Sequence, residues 1–366
     1  MRDKLKQIDK KYFIIFGVII GLIVFVILLM VILKLLSGPG KNYNKLEQKI
    51  VTAAQKYLKE NPDFIPEEGT STVIDSATLV SEEYMKELEK YIDDTCTGSV
   101  RVMNNGGKAL YLPDLQCTEY KTIHLKEKLI DDHLVADSED KYEGGLYESN
   151  GEYIFKGKNV DNFVSFGGLT WRIMKIDENG NLRLIKTNAE KAKKLWDNKY
   201  NISVKKNYGI NDYQNSYILE YLNESYNNIK NDSNKMHLIP HDVCVGKRSS
   251  KDKKISYDVD CAEKLEGQYI SIINTLDYPM ASLDENCNAV GAGSCTNYNY
   301  LKSVISTSWT STGVADNTYE VYYISSGYVG SLNANKNNNY NWIVYLSGEE
   351  LYKSGSGTEA DPYIIE

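Results

Sequence analysis

Apolar residues fall into three regimes along this chain: one unbroken run, then a helical spacing, then short alternating runs. The unbroken run, Tyr12 to Leu33 (YFIIFGVIIGLIVFVILLMVIL), carries no charge. At 1.5 Å rise per residue it spans about 33 Å, against a bilayer hydrocarbon core of about 30 Å. Arg2, Lys4, Lys6, Lys10 and Lys11 precede it, and a basic flank of this kind stays in the cytoplasm. A secretory signal peptide is the competing reading, but it calls for a shorter apolar core and an A-x-A-like site. Neither matches Lys34-Leu35-Leu36-Ser37-Gly38-Pro39-Gly40. The pattern therefore predicts a cytoplasmic flank over 1–11, a transmembrane helix over 12–36 and a linker over 37–42. The expected location is the cell membrane, single-pass, with the C-terminal domains extracytoplasmic.

The helical regime begins at Tyr43. Leu46, Ile50, Ala53, Ala54, Tyr57 and Leu58 share one side of a helix running to Glu60, and Pro62 ends it. A second helix is expected from Ser81 as N-cap through Met85, Leu88 and Ile92. A hairpin follows, turning at Gly106-Gly107. Residues 43–130 are read as a membrane-proximal α+β unit, 131–143 as a charged connector and 144–366 as a distal α+β domain with short antiparallel strands. In the alternating regime the strands fall at Tyr153–Phe155, Phe163–Phe166, Thr170–Ile176 and Leu182–Ile185, with Asp177–Asn181 as a hairpin turn. Asp212–Ile229 reads as a helix, Tyr269–Ile273 as a buried strand, and Tyr319–Ser325, Tyr328–Leu332 and Asn341–Leu346 as further strands.

Charge narrows the partners. The formal total is −8, and setting aside +3 on residues 1–11 and +1 on Lys34 leaves −12 on residues 37–366. An acidic surface disfavours nucleic acid, whose recognition needs a basic footprint. Tyr (29) far outnumbers Phe (7), which suits half-wet sheets and recognition surfaces as well as simple coding bias. The six cysteines, Cys96, Cys117, Cys244, Cys261, Cys287 and Cys295, read as disulfides. Of the fifteen connectivities, sequence neighbours suggest 96–117, 244–261 and 287–295. A two-residue turn at Gly106-Gly107 would set Cys96 directly opposite Cys117, with Pro113 forcing that strand to an edge. Zinc is the rival use, but no C-x-x-C occurs and none of His124, His133, His237 and His241 lies beside a cysteine pair.

An ordered series of short motifs runs through residues 144–366: Phe166-Gly167-Gly168-Leu169-Thr170-Trp171-Arg172-Ile173, Trp196, Tyr221-Leu222-Asn223, Leu276–Ser282, Ser308–Thr312, Gly327–Gly330, Trp342–Leu346 and Ser354–Ile365. This series resembles an uncharacterised domain family of anchored or secreted surface proteins of Firmicutes. The closing motifs are similar to formylglycine-generating-enzyme-like and C-type-lectin-like folds, and the resemblance implies such a fold without assigning an activity. Residues 43–125 resemble a module that precedes such domains. Lys10-Lys11-Tyr12-Phe13 is similar to a type IV prepilin start, except that Tyr12 replaces the glycine before the cut and Gly17 the glutamate.

Candidate chemistry is sparse. Asp177, Asn179 and Asn181 have calcium-loop spacing, but Leu182 replaces the required glycine, so a hairpin turn is the better reading. Asp284 and Glu285 in the 287–295 disulfide region could offer oxygen ligands, and Trp171, Trp309 and Trp342 could stack on sugars. Core packing is the alternative for all three tryptophans. His237 and His241 are four apart, yet Pro240 argues against a shared helix face. No catalytic residue, cofactor or metal site emerges. The reading is a membrane-anchored extracytoplasmic binding or adhesion module, with a glycan or surface-protein ligand and no identifiable catalytic constellation. Its alternatives are an extracytoplasmic hydrolase of wall or host glycans and a pseudopilin-like envelope-assembly or secretion accessory.

Overall fold

The structure is a computed structural model that describes residues 41–105, 108–135, 140–190, 193–227 and 232–365. The described residues are mostly β, with 23% helix, which corrects the expected α+β class and its C-type-lectin-like distal domain. Among them no helix is long and apolar enough to cross a membrane. The expected span, 12–36, lies outside the described residues, so the single-pass anchor and the membrane location are not supported.

The chain divides into two compact units. The described part of the first comprises 41–62, 73–100 and 113–121; the second comprises 63–72, 101–112 and 122–365.

In the first unit the helix Tyr43–Glu60 is capped by Asn42, whose side chain accepts from the Lys45 amide at 3.0 Å. Its inward positions Leu46, Ile50, Ala53, Ala54 and Leu58 are buried at the expected spacing. The strand Cys96–Asn105 crosses this face at Gly98, where a Cβ would come within 2.9 Å of the Ile50 side chain. The glycine is required there by close approach rather than by a turn. The second helix lies earlier than expected, at Ser76–Ser81. Ser81 ends it instead of capping a new one, and its hydroxyl donates to the Thr78 carbonyl at 3.0 Å. Glu83 then takes a positive φ of 63°, which breaks the helical path. Cys96 and Cys117 are bonded with Cα atoms 4.1 Å apart, as opposed residues of a hairpin are; its turn at 106–107 lies outside the described residues.

The second unit is built on a nine-stranded sheet. Its central run places Ser271–Ile272, Trp342–Leu346, Leu182–Lys186, Leu169–Ile176 and Phe163–Phe166 side by side, all antiparallel. Tyr363–Ile365 joins Phe163–Phe166 in parallel and pairs with Tyr352–Ser354, while Gly145–Ser149 and Glu152–Lys156 attach to Leu169–Ile176. The hairpin at 177–181 forms as expected. Asp177 Oδ1 accepts from the amides of Asn179 and Asn181, and Gly180 supplies the positive φ of 80° that the turn needs. A four-stranded sheet orders Lys247–Arg248, Thr307–Val314, Glu320–Ser325 and Tyr328–Asn333. The helix Tyr217–Asn227 buries Ile218, Leu219 and Leu222.

Candidate functional site: a polar cleft on the main sheet

Three neighbouring strands of the large sheet carry charged or phenolic side chains side by side. In register, Lys175 lies opposite Arg183, and Arg183 opposite Tyr345. Residues directly opposed across strands share a face, so the sheet presents Lys175, Arg183 and Tyr345 as one row. Leu182 and Leu184, flanking Arg183, turn the other way and are fully buried. Lys175 and Tyr345 of this row line a cleft of about 660 Å³, within the size range of small-molecule sites, while Arg183 lines a smaller recess.

Arg183 is held by Asp277, with Nη2 to Oδ2 at 2.8 Å and a second, shorter contact from Nη1 to Oδ1. Asp277 opens the short helix Asp277–Met280, and its Oδ2 also accepts from the Asn274 amide at 2.8 Å. Burial works against the guanidinium charge, but the neighbouring Asp277 carboxylate outweighs it and raises the Arg183 pKa. The charge is therefore fixed and locally neutralised. Lys175 is paired with Glu152 from the adjoining strand.

His241 begins the strand His241–Cys244. Its ring stacks on Tyr345 at 4.4 Å, and Nε2 lies 2.8 Å from the Ser271 hydroxyl. Burial, with the Arg183 charge beside it, pushes the imidazole down to about 3, so it is neutral. A hydrogen bond to the Ile239 backbone works against that shift, and Nδ1 is sealed from solvent. Ser271, Asn274 and Ser311 line an inner recess of about 50 Å³ next to His241 and Arg183.

The opposite wall is the helix Tyr257–Asp260, capped by Ser256, whose side chain accepts from the Asp258 amide. The Cys244–Cys261 disulfide ties this wall to the His241 strand and itself lines the cleft. Tyr257 lines the cleft and is 41% exposed, with the Lys175 ammonium 5.7 Å from its ring. The cleft is acidic: Glu152, Asp177, Glu178, Asp242 and Asp258 face it against only Lys175 and Lys264. Burial raises the Asp177 pKa in spite of the turn amides that bond its carboxylate.

The sequence-derived candidates lie elsewhere. Trp171 and Trp309 are core side chains, their indole N–H groups donating to the Phe166 and Lys194 carbonyls, and neither offers a face for stacking. Trp342 is partly buried with the Lys186 ammonium 4.4 Å from its ring. The Asp284 carboxylate is occupied by Asn297 at 2.6 Å and the Asn286 amide at 2.8 Å, which lower its pKa, and Glu285 pairs with Lys141 at 3.6 Å. All six cysteines form the three neighbour pairs. Among the described residues the one cluster of metal-ligand type, Asp94 with Cys96 and Cys117, contains a disulfide rather than thiolates, and so lacks soft ligands. His237 and His241 part company: His237 Nδ1 lies 2.9 Å from the buried Glu350 carboxylate.

What sequence reasoning missed is Lys175, Arg183, Asp277 and Tyr257. The available signal was a charged residue inside otherwise apolar strands, Ile173-Met174-Lys175-Ile176 and Leu182-Arg183-Leu184-Ile185. No family model, no curated protein and no solved structure matches this chain. The resemblance drawn from residues 144–366 therefore carries no argument about the cleft.

Proposed function

We propose that this protein is a ligand-binding module and that the cleft lined by Lys175, Tyr257 and Tyr345 is its recognition site for a saccharide. The observation that carries the reading is the part-exposed Tyr257 ring, with the Lys175 ammonium 5.7 Å from it, at the mouth of a preformed cleft whose walls otherwise offer hydrogen-bonding side chains. Sugar rings present apolar C–H faces beside dense hydroxyl groups, and an aromatic face next to fixed polar groups meets both. The floor is preorganised, since Lys175 is already paired and loses little freedom on binding.

Recognition is favoured over hydrolysis by the state of His241. A His–Ser pair acts as a nucleophile when a carboxylate orients the imidazole, and His241 Nδ1 has no such partner. Titration calorimetry of the full chain against hits from a neutral-glycan array tests the proposal. The expected result is saturable binding without product, weakened about tenfold or more by Tyr257→Ala, the equivalent of about 1.4 kcal/mol. Unchanged affinity in that variant would remove the cleft from consideration.

A further inference from the structure

We infer that the inner recess beside the cleft receives the acetamido group of an N-acetylated sugar, an inference that deepens the saccharide reading above and rests on it. The recess adjoins the cleft, since Lys175, Asp242, Cys244 and Tyr345 line both, whereas Val243, Ile272 and Asn274 line the recess alone. Its main feature is a buried donor with nothing to donate to. Asn274 is 6% exposed. Its Oδ1 accepts from the Leu276 and Asp277 amides at 2.9 and 3.1 Å, at the start of the helix Asp277–Met280. Two donors on that oxygen fix which way round the carboxamide lies. Nδ2, with two N–H donors, has no hydrogen-bond partner among the described residues. Buried polar groups are almost always satisfied, so a donor left open on a cavity calls for an acceptor from outside the chain.

The surroundings of that donor say which acceptor. Val243 and Ile272 are buried and give the recess an apolar wall. The Tyr345 hydroxyl, on the wall shared with the cleft, also has no hydrogen-bond partner among the described residues, and a hydroxyl can accept as well as donate. An acetamido group carries one strong acceptor, one N–H donor and a methyl group. These meet Asn274 Nδ2, the Tyr345 hydroxyl and the Val243–Ile272 wall in turn. At about 50 Å³ the recess has room for a group of a few heavy atoms rather than for a sugar ring. An anionic acceptor suits it less, because Arg183 is already held by Asp277 and the Asp242 carboxylate lines the same space. A free ammonium would set its N–H groups against the Asn274 donors and the Lys175 ammonium.

Titration of the full chain with oligomers of N-acetylglucosamine, glucosamine and glucose, equal in length and linkage and differing only in the group on one ring carbon, tests the inference. The N-acetylated oligomer is expected to bind at least about tenfold more tightly than either of the others, because a site built around a hydrogen-bond partner rejects analogues that lack it. Asn274→Asp keeps an oxygen for the Leu276 and Asp277 amides and replaces the N–H donors with an acceptor, and it should remove that advantage. Val243→Ile adds a methyl group to the recess wall and should remove it too, so the test stands even where Asn274→Asp does not fold; melting curves of both variants check folding. Equal affinity for the three oligomers would overturn the inference and leave the saccharide reading standing. An advantage that survives in the folded variants would place the acetamido group outside the recess and overturn the inference as well. Binding of none of the three also overturns it, and the glycan array then decides the saccharide reading on its own.

Discussion

His241 illustrates how much a single side chain's surroundings decide. Its imidazole titrates at about 3 in the folded chain against an ordinary value of 6.5. On acidification the unfolded chain takes up the proton first, so this group's contribution is complete above pH about 6.5 and is lost as pH falls toward about 3. Between about pH 7.5 and pH 5 the loss is on the order of 2 kcal/mol. Denaturant unfolding at both pH values should show that drop in the unaltered chain and a smaller one in His241→Gln, which cannot titrate. Equal drops in the two proteins would show that other groups dominate the window. The sequence made His241 conspicuous through its spacing from His237, but not its environment. Its partners Ser271 and Tyr345 are distant in the chain, and only strand pairing brings them to it. Lys175 and Arg183 were legible in principle as charges interrupting apolar runs, because a charge inside a covered sheet calls for a partner.

At the scale of elements, strands with regular alternation were read well and polar ones were not. Phe163–Phe166, Leu169–Ile176 and Leu182–Lys186 follow the pattern closely. Thr307–Val314 does not, although it is buried along nearly its whole length. Its sequence, TSWTSTGV, is polar, and burial is possible because its hydroxyls are used. Thr310 donates to the Tyr322 carbonyl at 2.8 Å, Ser311 to the Cys244 carbonyl at 2.7 Å, and Thr312 to Asp260 at 3.1 Å. Asp260 in turn pairs with the buried Arg248. No local pattern reports such partners. The wall of the cleft depends on the same region. The Cys244–Cys261 bridge joins the His241–Cys244 strand to the Tyr257–Asp260 helix across a separation of 17 residues, and a bridge of that span contributes about 2–4 kcal/mol. The double replacement Cys244→Ser with Cys261→Ser should lower stability by about that amount and weaken ligand binding along with it. Melting and titration of the same preparation check this; loss of stability with intact affinity would show that Arg248–Asp260 alone holds the wall.

For the whole molecule the instructive element is the helix Leu125–His133. The sequence groups it with the membrane-proximal module and begins the distal domain at residue 144, because the charged stretch after it looks like a connector. The structure assigns residues 122–365 to one unit, and the reason is packing. Leu125 and Leu129 are fully buried in the main hydrophobic core. At the helix end His133 Nε2 lies 2.6 Å from the Tyr363 hydroxyl, which also donates to Asp132 at 3.0 Å, while the Leu125 amide donates to the Glu350 carbonyl. A fragment starting at 144 would strip two buried leucines from the core and leave Tyr363, itself fully buried, without either partner. Losing one buried leucine side chain already costs about 2–5 kcal/mol, which is a large part of the stability of an ordinary domain. A 144–366 fragment should therefore melt well below a 122–366 fragment, or without a cooperative transition, when both are prepared with their disulfides formed. Indistinguishable melting curves would mean that the helix rests on the core without supporting it, and that the charged stretch is a boundary after all.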